Sequence, residues 1–335
     1  MSEPSPNGAS AARTVSVVVP TFGKAALLRT TLDAVSAQSY PASAIEVVVT
    51  DDCSSDETPR FLAGYEPSYR LVVERHEANR GRAAARNTAI RAATGDLVVF
   101  LDDDMRAEPE LVAEHVAFHE DHPGSAVIGN ALTAPELGPS NVYSYLDTRG
   151  VHKLAPGSRV PARYFLTNNS SVPRDALLTA GLFDESFASY GFEDMEIAYR
   201  LEQEAGLAFW YCASAVAYHI HAHTLDQLLA KRLESARASL PVLLAKFPEK
   251  AGDLSVDTLL PPDPADPPSR RLRRILLGIA MSAPALAFAR GVARASSLGR
   301  LSHPFIDLLV AASYREGLRL AASRDHAGEP ARRAG

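Results

Sequence analysis

Apolar residues in the first hundred positions come in short runs that alternate with stretches at helical spacing. Residues 14–19 (TVSVVV) form a continuous apolar run, the pattern of a strand buried on both faces. Residues 24–38 repeat apolar positions at helical spacing and predict a helix. Residues 45–50 (IEVVVT) predict a second strand and residues 71–74 a weaker third. Residues 81–93 are alanine-rich and predict a helix ending near Gly95, and residues 97–101 (LVVFL) predict a fourth strand. Such alternation predicts an α/β layer with a mostly parallel central sheet. Ligands in these sheets bind outside the carboxyl ends of the strands.

The second half is less regular. Residues 135–165 are rich in Gly, Pro and Ser and read as a long excursion of the kind that is usually functional. Residues 174–180 and 193–205 predict helices, residues 207–211 and 215–218 two short strands, and residues 224–247 a long amphipathic helix. The segment LPPDPADPP at 260–268 is a linker. Two helical stretches, 270–296 and 304–323, follow it.

Composition narrows the class. Hydrophobic residues make up 46% and charged residues 22% of the 335 positions, which excludes a wholly disordered or collagen-like chain. A net charge of −6 argues against nucleic acid as the partner of the whole chain. The charge is uneven: residues 270–335 hold 12 Arg, no Lys and 4 acids, whereas the remainder carries a net charge of −14. A basic tail on an acidic body points to an anionic partner for the tail. The two cysteines, Cys53 and Cys212, fit no disulfide framework or metal spacing, so a reducing cytosol is the expected compartment. Residues 1–13 are polar without an apolar core and are expected to be a disordered leader rather than a secretory signal. The longest apolar stretch, 275–289, contains Pro284 and falls short of the ~20 residues a spanning helix needs, leaving a surface-lying or re-entrant segment open.

Two acidic clusters sit directly after predicted strands. Asp102, Asp103 and Asp104 follow the fourth, where their mutual repulsion calls for a compensating cation. Mg²⁺ or Mn²⁺ suits carboxylates together with ligand phosphates. In an extended segment Asp102 and Asp104 would share a face and Asp103 would point elsewhere. A solvated acidic turn is the plain alternative. Asp51, Asp52 and Asp56 follow the second strand in a segment that also reads as an Asx turn, with Asp56 as the cap of a helix starting near Glu57. Glu193 and Asp194 open the helix after Gly191, where the helix dipole alone would favour acids; a carboxylate there can also act as a general base. Glu196 and Arg200 are spaced to pair. His219, His221 and His223 alternate after a short strand, and one of them is a candidate metal ligand. No GxGxxG, GxxxxGK[ST], GxSxG or HExxH pattern occurs, which removes the best sequence support for hydride transfer, NTP hydrolysis, serine hydrolysis and zinc hydrolysis.

The order of these clusters carries more than any one of them. Val17 to Lys24, Val49 to Asp56, Asn79 to Gly81 with Ala85 to Asn87, and Phe100 to Asp104 together resemble the nucleotide half of family 2 glycosyltransferases with the GT-A fold. Asn168 to Arg174, Gly181 to Phe187 and Tyr190 to Leu201 resemble their acceptor half. The resemblance implies a Rossmann-like nucleotide-binding half over 14–130 and an acceptor half over 131–259, with a linker at 260–269 and a basic helical extension over 270–335. It implies that Pro20, Thr21 and Phe22 line the nucleotide pocket, that Asp52 contacts a uracil-type base, and that Arg82 and Asp103 belong to the donor site. Asp102 and Asp104 match the family's DxD, with His219 completing the shell of a Mn²⁺ or Mg²⁺ ion. Asp194, with Glu193 beside it, matches the catalytic base of an inverting transfer from a nucleoside-diphosphate sugar, UDP-linked by family habit. The sequence departs from the family at Cys53, where a small glycine is usual, and at Gly23, where an asparagine is usual. The acceptor is expected to be a lipid-linked glycan or a small-molecule scaffold. The stretch from Arg270 to Arg274 leaves open a peripheral position at the inner face of a membrane, a helical cap or a dimer surface. The competing reading is a non-catalytic nucleotide-sugar-binding module of the same fold.

Overall fold

The computed structural model describes residues 12–260, 263–295 and 298–327, with side chains to residue 323. The polar leader therefore lies almost wholly outside the described residues, as do the last eight positions of the tail and parts of the linker.

Nine strands build one mixed sheet: β1 (Val15–Thr21), β2 (Ile45–Asp51), β3 (Arg70–Arg75), β4 (Leu97–Leu101), β5 (Met105–Ala107), β6 (Ser125–Thr133), β7 (Arg159–Val160), β8 (Asn169–Pro173) and β9 (Ala208–His219). The order is β3-β2-β1-β4-β8-β6-β9-β5, with β7 on β9. The β3-β2-β1-β4 half is parallel; β8 then runs antiparallel to β4 and β6, and β6 runs parallel to β9.

The apolar runs of the parallel half bury both faces, as their pattern predicts. Val15, Val17 and Val19 of β1 and Val47 and Val49 of β2 pack with Leu28, Leu32 and Val35 of helix α1 (Ala25–Ser36). Helix α2 (Thr58–Ala63) lies after β2. Val18, Val48, Val98 and Phe100 face the opposite side, against Ala83, Ala89 and Ile90 of helix α3 (Arg82–Ala92). Helix α4 (Leu111–Asp121) joins α1 on its face. The helix starts one residue later than expected, so Glu57 and not Asp56 holds the N-cap position; Asp56 sits just before it, its carboxylate accepting from the Thr58 amide at 3.0 Å.

The excursion over 135–165 is partly ordered, by helix α5 (Asn141–Leu146), 3₁₀ turns and β7. Helices α6 (Arg174–Thr179) and α7 (Glu193–Glu204) follow. The two short strands expected over 207–218 are one strand, β9. Tyr211 pairs with Ile128 but Val216 with Asn130, so the small, polar residues between them form an irregularity rather than a break. Helix α8 (Leu225–Lys246) starts at a Thr224–Gln227 capping box, and the short α9 (Val256–Leu259) closes the domain. The expected single stretch over 270–296 is two helices, α10 (Pro268–Ala280) and α11 (Ala283–Arg294), bent by 65° where Ser282 and Pro284 interrupt the helical pattern. Helix α12 (His303–Ala327) packs along α8. No single helix among the described residues is long and apolar enough to cross a membrane.

Under the sheet, α4 places His115 and His119 one turn apart. His115 Nε2 donates to Asn169 Oδ1 at 2.9 Å, its Nδ1 accepts from Ser171 Oγ at 2.8 Å, and His119 Nε2 meets Ser171 Oγ at 2.8 Å. Burial lowers both imidazoles, to about 4 and about 3, so they stay neutral when folded. The unfolded chain binds protons there below its ordinary histidine value and the folded chain does not. The stability this gives is complete above pH ~6.5 and is lost as pH falls toward the folded values, by ~1.4 kcal/mol per pH unit for each histidine. Thermal melts from pH 7 to 5 are expected to show that slope, reduced in a His115→Asn/His119→Gln variant. Equal slopes in the two proteins would contradict it.

Candidate active site

The carboxyl ends of β1, β2 and β4 meet at one edge of the sheet. Thr21 pairs with Asp51 in the β1–β2 ladder, and the Asp52 amide donates to Thr21 O at 2.9 Å. Asp52 is buried and accepts from His76 Nδ1 at 2.7 Å and from the Arg80 and Gly81 amides at 2.8 Å each. It thus gathers the loop that opens α3, where Gly81 has φ +86°. Three of the roughly four acceptor sites on its carboxylate are used, leaving room for one further donor. Cys53 has φ +69°, in the left-handed region, which is the physical reason a glycine is usual there. Pro20 is half-buried, Thr21 is buried, and Phe22 is 52% exposed at the mouth of the edge.

The aspartate triplet does not alternate as an extended strand would. The Met105 amide donates to Asp102 O at 3.2 Å, so the segment turns and alternation fails. Asp103, expected in the donor site, faces inward: Thr21 Oγ1 donates to it at 2.8 Å and Lys24 Nζ at 2.7 Å. Lys24 also reaches Asp104 at 2.9 Å. Asp102 turns away to Arg86 Nη2 at 3.2 Å. Burial raises the Asp103 carboxyl above its ordinary value. Burial also opposes ionisation of Asp104, but His219 and Lys24 outweigh it and hold that carboxyl below the usual carboxylate range.

His219 reaches Asp104 because Met105 of β5 pairs with His219 of β9. Its Nδ1 lies 3.8 Å from Asp104 Oδ1 and is buried without a hydrogen-bond partner, while Nε2 meets Asn168 Nδ2 at 3.2 Å. β9 ends at His219, so the alternation expected for His221 and His223 stops there; both lie beyond the strand, with ring centroids 5.4 Å apart. An orphaned imidazole nitrogen beside an ionised carboxylate suits a divalent cation. Among the described residues no three His, Cys, Asp or Glu side chains converge into a closed cage. Such a half-built set is what a hard cation shared with ligand phosphates requires.

Glu193 and Asp194 occupy the first turn of α7, presented by Phe192 at φ +70°. Thr167 Oγ1 donates to Asp194 at 2.8 Å. Burial raises the Asp194 carboxyl to about 6, with Arg86 opposing and Glu193 adding to the rise. Glu193 is buried against Arg86 at 3.2 Å. The expected Glu196–Arg200 pair forms at 2.6 Å.

Arg86 is the residue that motif reading left without a role. It is 2% exposed, and its guanidinium spans Asp102 on one side and Glu193 and Asp194, at 3.2 and 3.5 Å, on the other. Its neighbour Asn87 bonds both the amide and the carbonyl of Phe183, clamping α3 onto the second half of the domain. Lys231 of α8 was equally invisible. Its ammonium lies 5.2 Å from the Tyr190 ring centroid, and the Arg82 guanidinium lies 4.7 Å from the same ring. Thr167, Asn168 and Asn169 tie three parts together in consecutive residues, contacting Asp194, His219 and His115. Gly129 makes room for this turn, since a Cβ there would lie 2.6 Å from the Asn169 carboxamide carbon.

Residues 16–169 match the model of glycosyl transferase family 2. The chain is 29% identical over 287 residues to the uncharacterized glycosyltransferase YfnE of Bacillus subtilis (strain 168), covering 69% of this chain and 70% of that one. It is 30% identical over 223 residues to validoxylamine A glucosyltransferase of Streptomyces hygroscopicus subsp. jinggangensis (strain 5008), covering 58% of this chain and 53% of that one. The chain thus spans about half the length of the latter relative. Among solved structures, the mannosyltransferase PcManGT of Pyrobaculum calidifontis, in complex with GDP-Man and Mn²⁺, superposes with a TM-score of 0.60 at 22% identity, covering 91% of this chain and 87% of that one. S. aureus TarS 1-349 in complex with UDP-GlcNAc gives 0.53 at 20% identity, covering 93% and 92%. With strand-end acids within the matched stretch and the same architecture beneath them, residues 16–169 match glycosyl transferase family 2 and the chain has the GT-A fold.

Proposed function

We propose that the chain transfers a hexose or N-acetylhexosamine from a nucleoside-diphosphate sugar, UDP-linked by preference, to an acceptor hydroxyl with inversion. The observation that carries this reading is one buried guanidinium, Arg86, joining Asp102 of the acidic strand end to Asp194, a carboxyl whose affinity for protons is raised. That arrangement ties the candidate base to the acidic strand end.

In this reading Asp194 accepts the acceptor's hydroxyl proton as the oxygen bonds to the anomeric carbon. The bond from that carbon to the diphosphate breaks on the opposite face, and its electron pair leaves with the diphosphate. One displacement inverts the centre and needs no protein nucleophile. Arg82 and Lys231, which flank Tyr190, are assigned to the leaving diphosphate. Asp52 takes the base through its remaining acceptor site, and the backbone at Pro20 to Phe22 lines the pocket beside it. Asp104 and His219 Nδ1 would hold a Mn²⁺ or Mg²⁺ ion, which supplies Lewis-acid stabilisation of the diphosphate when bound; Asp102, expected as a further ligand, is turned to Arg86. The solved relatives' GDP-Man with Mn²⁺ and UDP-GlcNAc support donor and metal as classes. The acceptor is a natural-product scaffold, as the name validoxylamine A glucosyltransferase suggests, or a polymeric or lipid-linked glycan. Two free cysteines favour a cytosolic setting.

The test is diphosphate release from a panel of nucleotide sugars with Mn²⁺, Mg²⁺ or EDTA. One donor is expected to be hydrolysed slowly with metal, and at least ~100-fold more slowly in EDTA or in Asp104→Ala. Release that ignores both EDTA and Asp104→Ala would sink the metal assignment.

A further inference from the structure

Helices α10 and α11 are turned the wrong way round for a cap. Leu272, Ile275, Leu276 and Ile279 repeat at helical spacing and are 57, 41, 57 and 65% exposed. Phe288 on α11 is 65% exposed. The inner contacts use other residues. Arg274 is buried and bonds Asp266 at 2.5 Å and the Asp257 carbonyl at 2.8 Å. Ala289 and Ala293 of α11 pack against Ile306 and Leu309 of α12. The two helices thus dock mainly through an ion pair, small side chains and the half-buried Leu286, and leave Leu272, Ile275, Leu276, Ile279 and Phe288 outside.

The charge carried by the two helices themselves is of one sign, and Asp257, Asp266 and Asp226 of neighbouring segments pair with Arg270, Arg274, Arg290 and Arg294. Residues 267–306 contain seven arginines and no Asp, Glu or Lys. Arg271 and Arg273 are exposed beside the apolar row. An open cavity of about 330 Å³ adjoins it, lined by Asp257, Thr258, Ser269, Arg270, Arg273 and Arg274. Neither helix spans a bilayer: at ~1.5 Å per residue, α10 reaches about 20 Å against the ~30 Å of a hydrocarbon core.

We propose that α10 and α11 form a surface-lying anchor that seats this chain on an anionic bilayer. The apolar row enters the acyl boundary, and Arg271 and Arg273 meet the headgroups. An apolar row flanked by the exposed Arg271 and Arg273 complements a negatively charged lipid surface. A second copy of this face would set the same cations against each other. The anchor is carried by the acceptor half, because α12 runs along α8 and Tyr314 meets Phe192, the residue that opens α7, edge-on. The proposal is independent of the transfer reaction.

The experiment is flotation of the full chain with phosphatidylcholine vesicles with and without phosphatidylglycerol. The chain is expected to float with the anionic vesicles only, less so at high salt. Arg271→Glu/Arg273→Glu should weaken partition at least ~25-fold, at about fivefold for each lost cation. Ile275→Asp/Ile279→Asp, at exposed positions, should weaken it at least ~100-fold. Both variants should keep wild-type release of diphosphate. Three results would overturn the proposal: no flotation, equal flotation on both vesicles, or unchanged flotation of either variant. A dimer that Ile275→Asp/Ile279→Asp dissolves, without flotation of the wild type, would also overturn it and assign the face to a second copy. Flotation without any donor turnover would leave the anchor standing and remove the transferase reading.

Discussion

Asp194→Asn is expected to lower sugar transfer about 10³-fold while donor affinity stays within about twofold. Asparagine keeps the size of the side chain and still accepts from Thr167 Oγ1, the contact that orients Asp194. What it loses is the capacity to take a proton. General-base assistance is worth roughly 10²- to 10⁴-fold, and a base raised to about 6 sits close to the pH at which it would work. The same property sets the pH profile. The base acts only when ionised, so transfer should rise with pH, reach half its plateau near pH 6 and stay flat above. A carboxylate at its ordinary value would put that midpoint about two units lower. Near-normal turnover in Asp194→Asn would remove the base from this residue.

Replacing Arg86 is expected to produce the largest loss of stability of any single change in the site. Arg86→Met keeps the bulk and removes the guanidinium that Asp102, Glu193 and Asp194 share. Stripping one partner from a buried ion pair costs roughly 3–5 kcal/mol, because the charges left behind are uncompensated. In a domain of this size that lowers the melting temperature by about 10 °C. The remaining carboxylates would relieve their repulsion by binding a proton, so the pH midpoint of any residual transfer should move upward by a unit or more. Arg86→Lys should recover part of the stability, since it restores charge without a fork that reaches three acids. A melt within 2 °C of wild type for Arg86→Met, or an unshifted pH midpoint, would contradict the role given to this guanidinium; the threshold is about half a kcal/mol.

The parallel half of the fold was legible because its strands bury both faces and therefore read as unbroken apolar runs; their boundaries moved by one or two residues. The strand-end acids were legible because polar residues directly after such runs must lie at the sheet edge. Four features were not. The direction of Asp103 depended on a turn closed by Met105 and on Lys24, neither of which alternation takes into account. Arg86 sits in an alanine-rich helix whose sequence says only that one face is apolar; its role comes from α7, more than a hundred positions later. The break read between two short strands was an irregularity in β9, because small residues such as Ala213 and Ser214 mark a bulge and a turn alike. In the tail, composition showed basic and apolar residues together. That Arg274 points inward and Ile279 outward depends on Asp266, a contact across the proline-rich linker.

The most direct test of the account is calorimetric titration of the donor nucleotide into wild type, Asp194→Asn and Asp104→Ala, each with Mn²⁺ and with EDTA. The account predicts metal-dependent binding of similar affinity in wild type and Asp194→Asn, and binding at least ~10-fold weaker in Asp104→Ala or in EDTA. Metal-independent binding, or an Asp104→Ala protein that binds as wild type does, would contradict a metal-held donor at the strand ends.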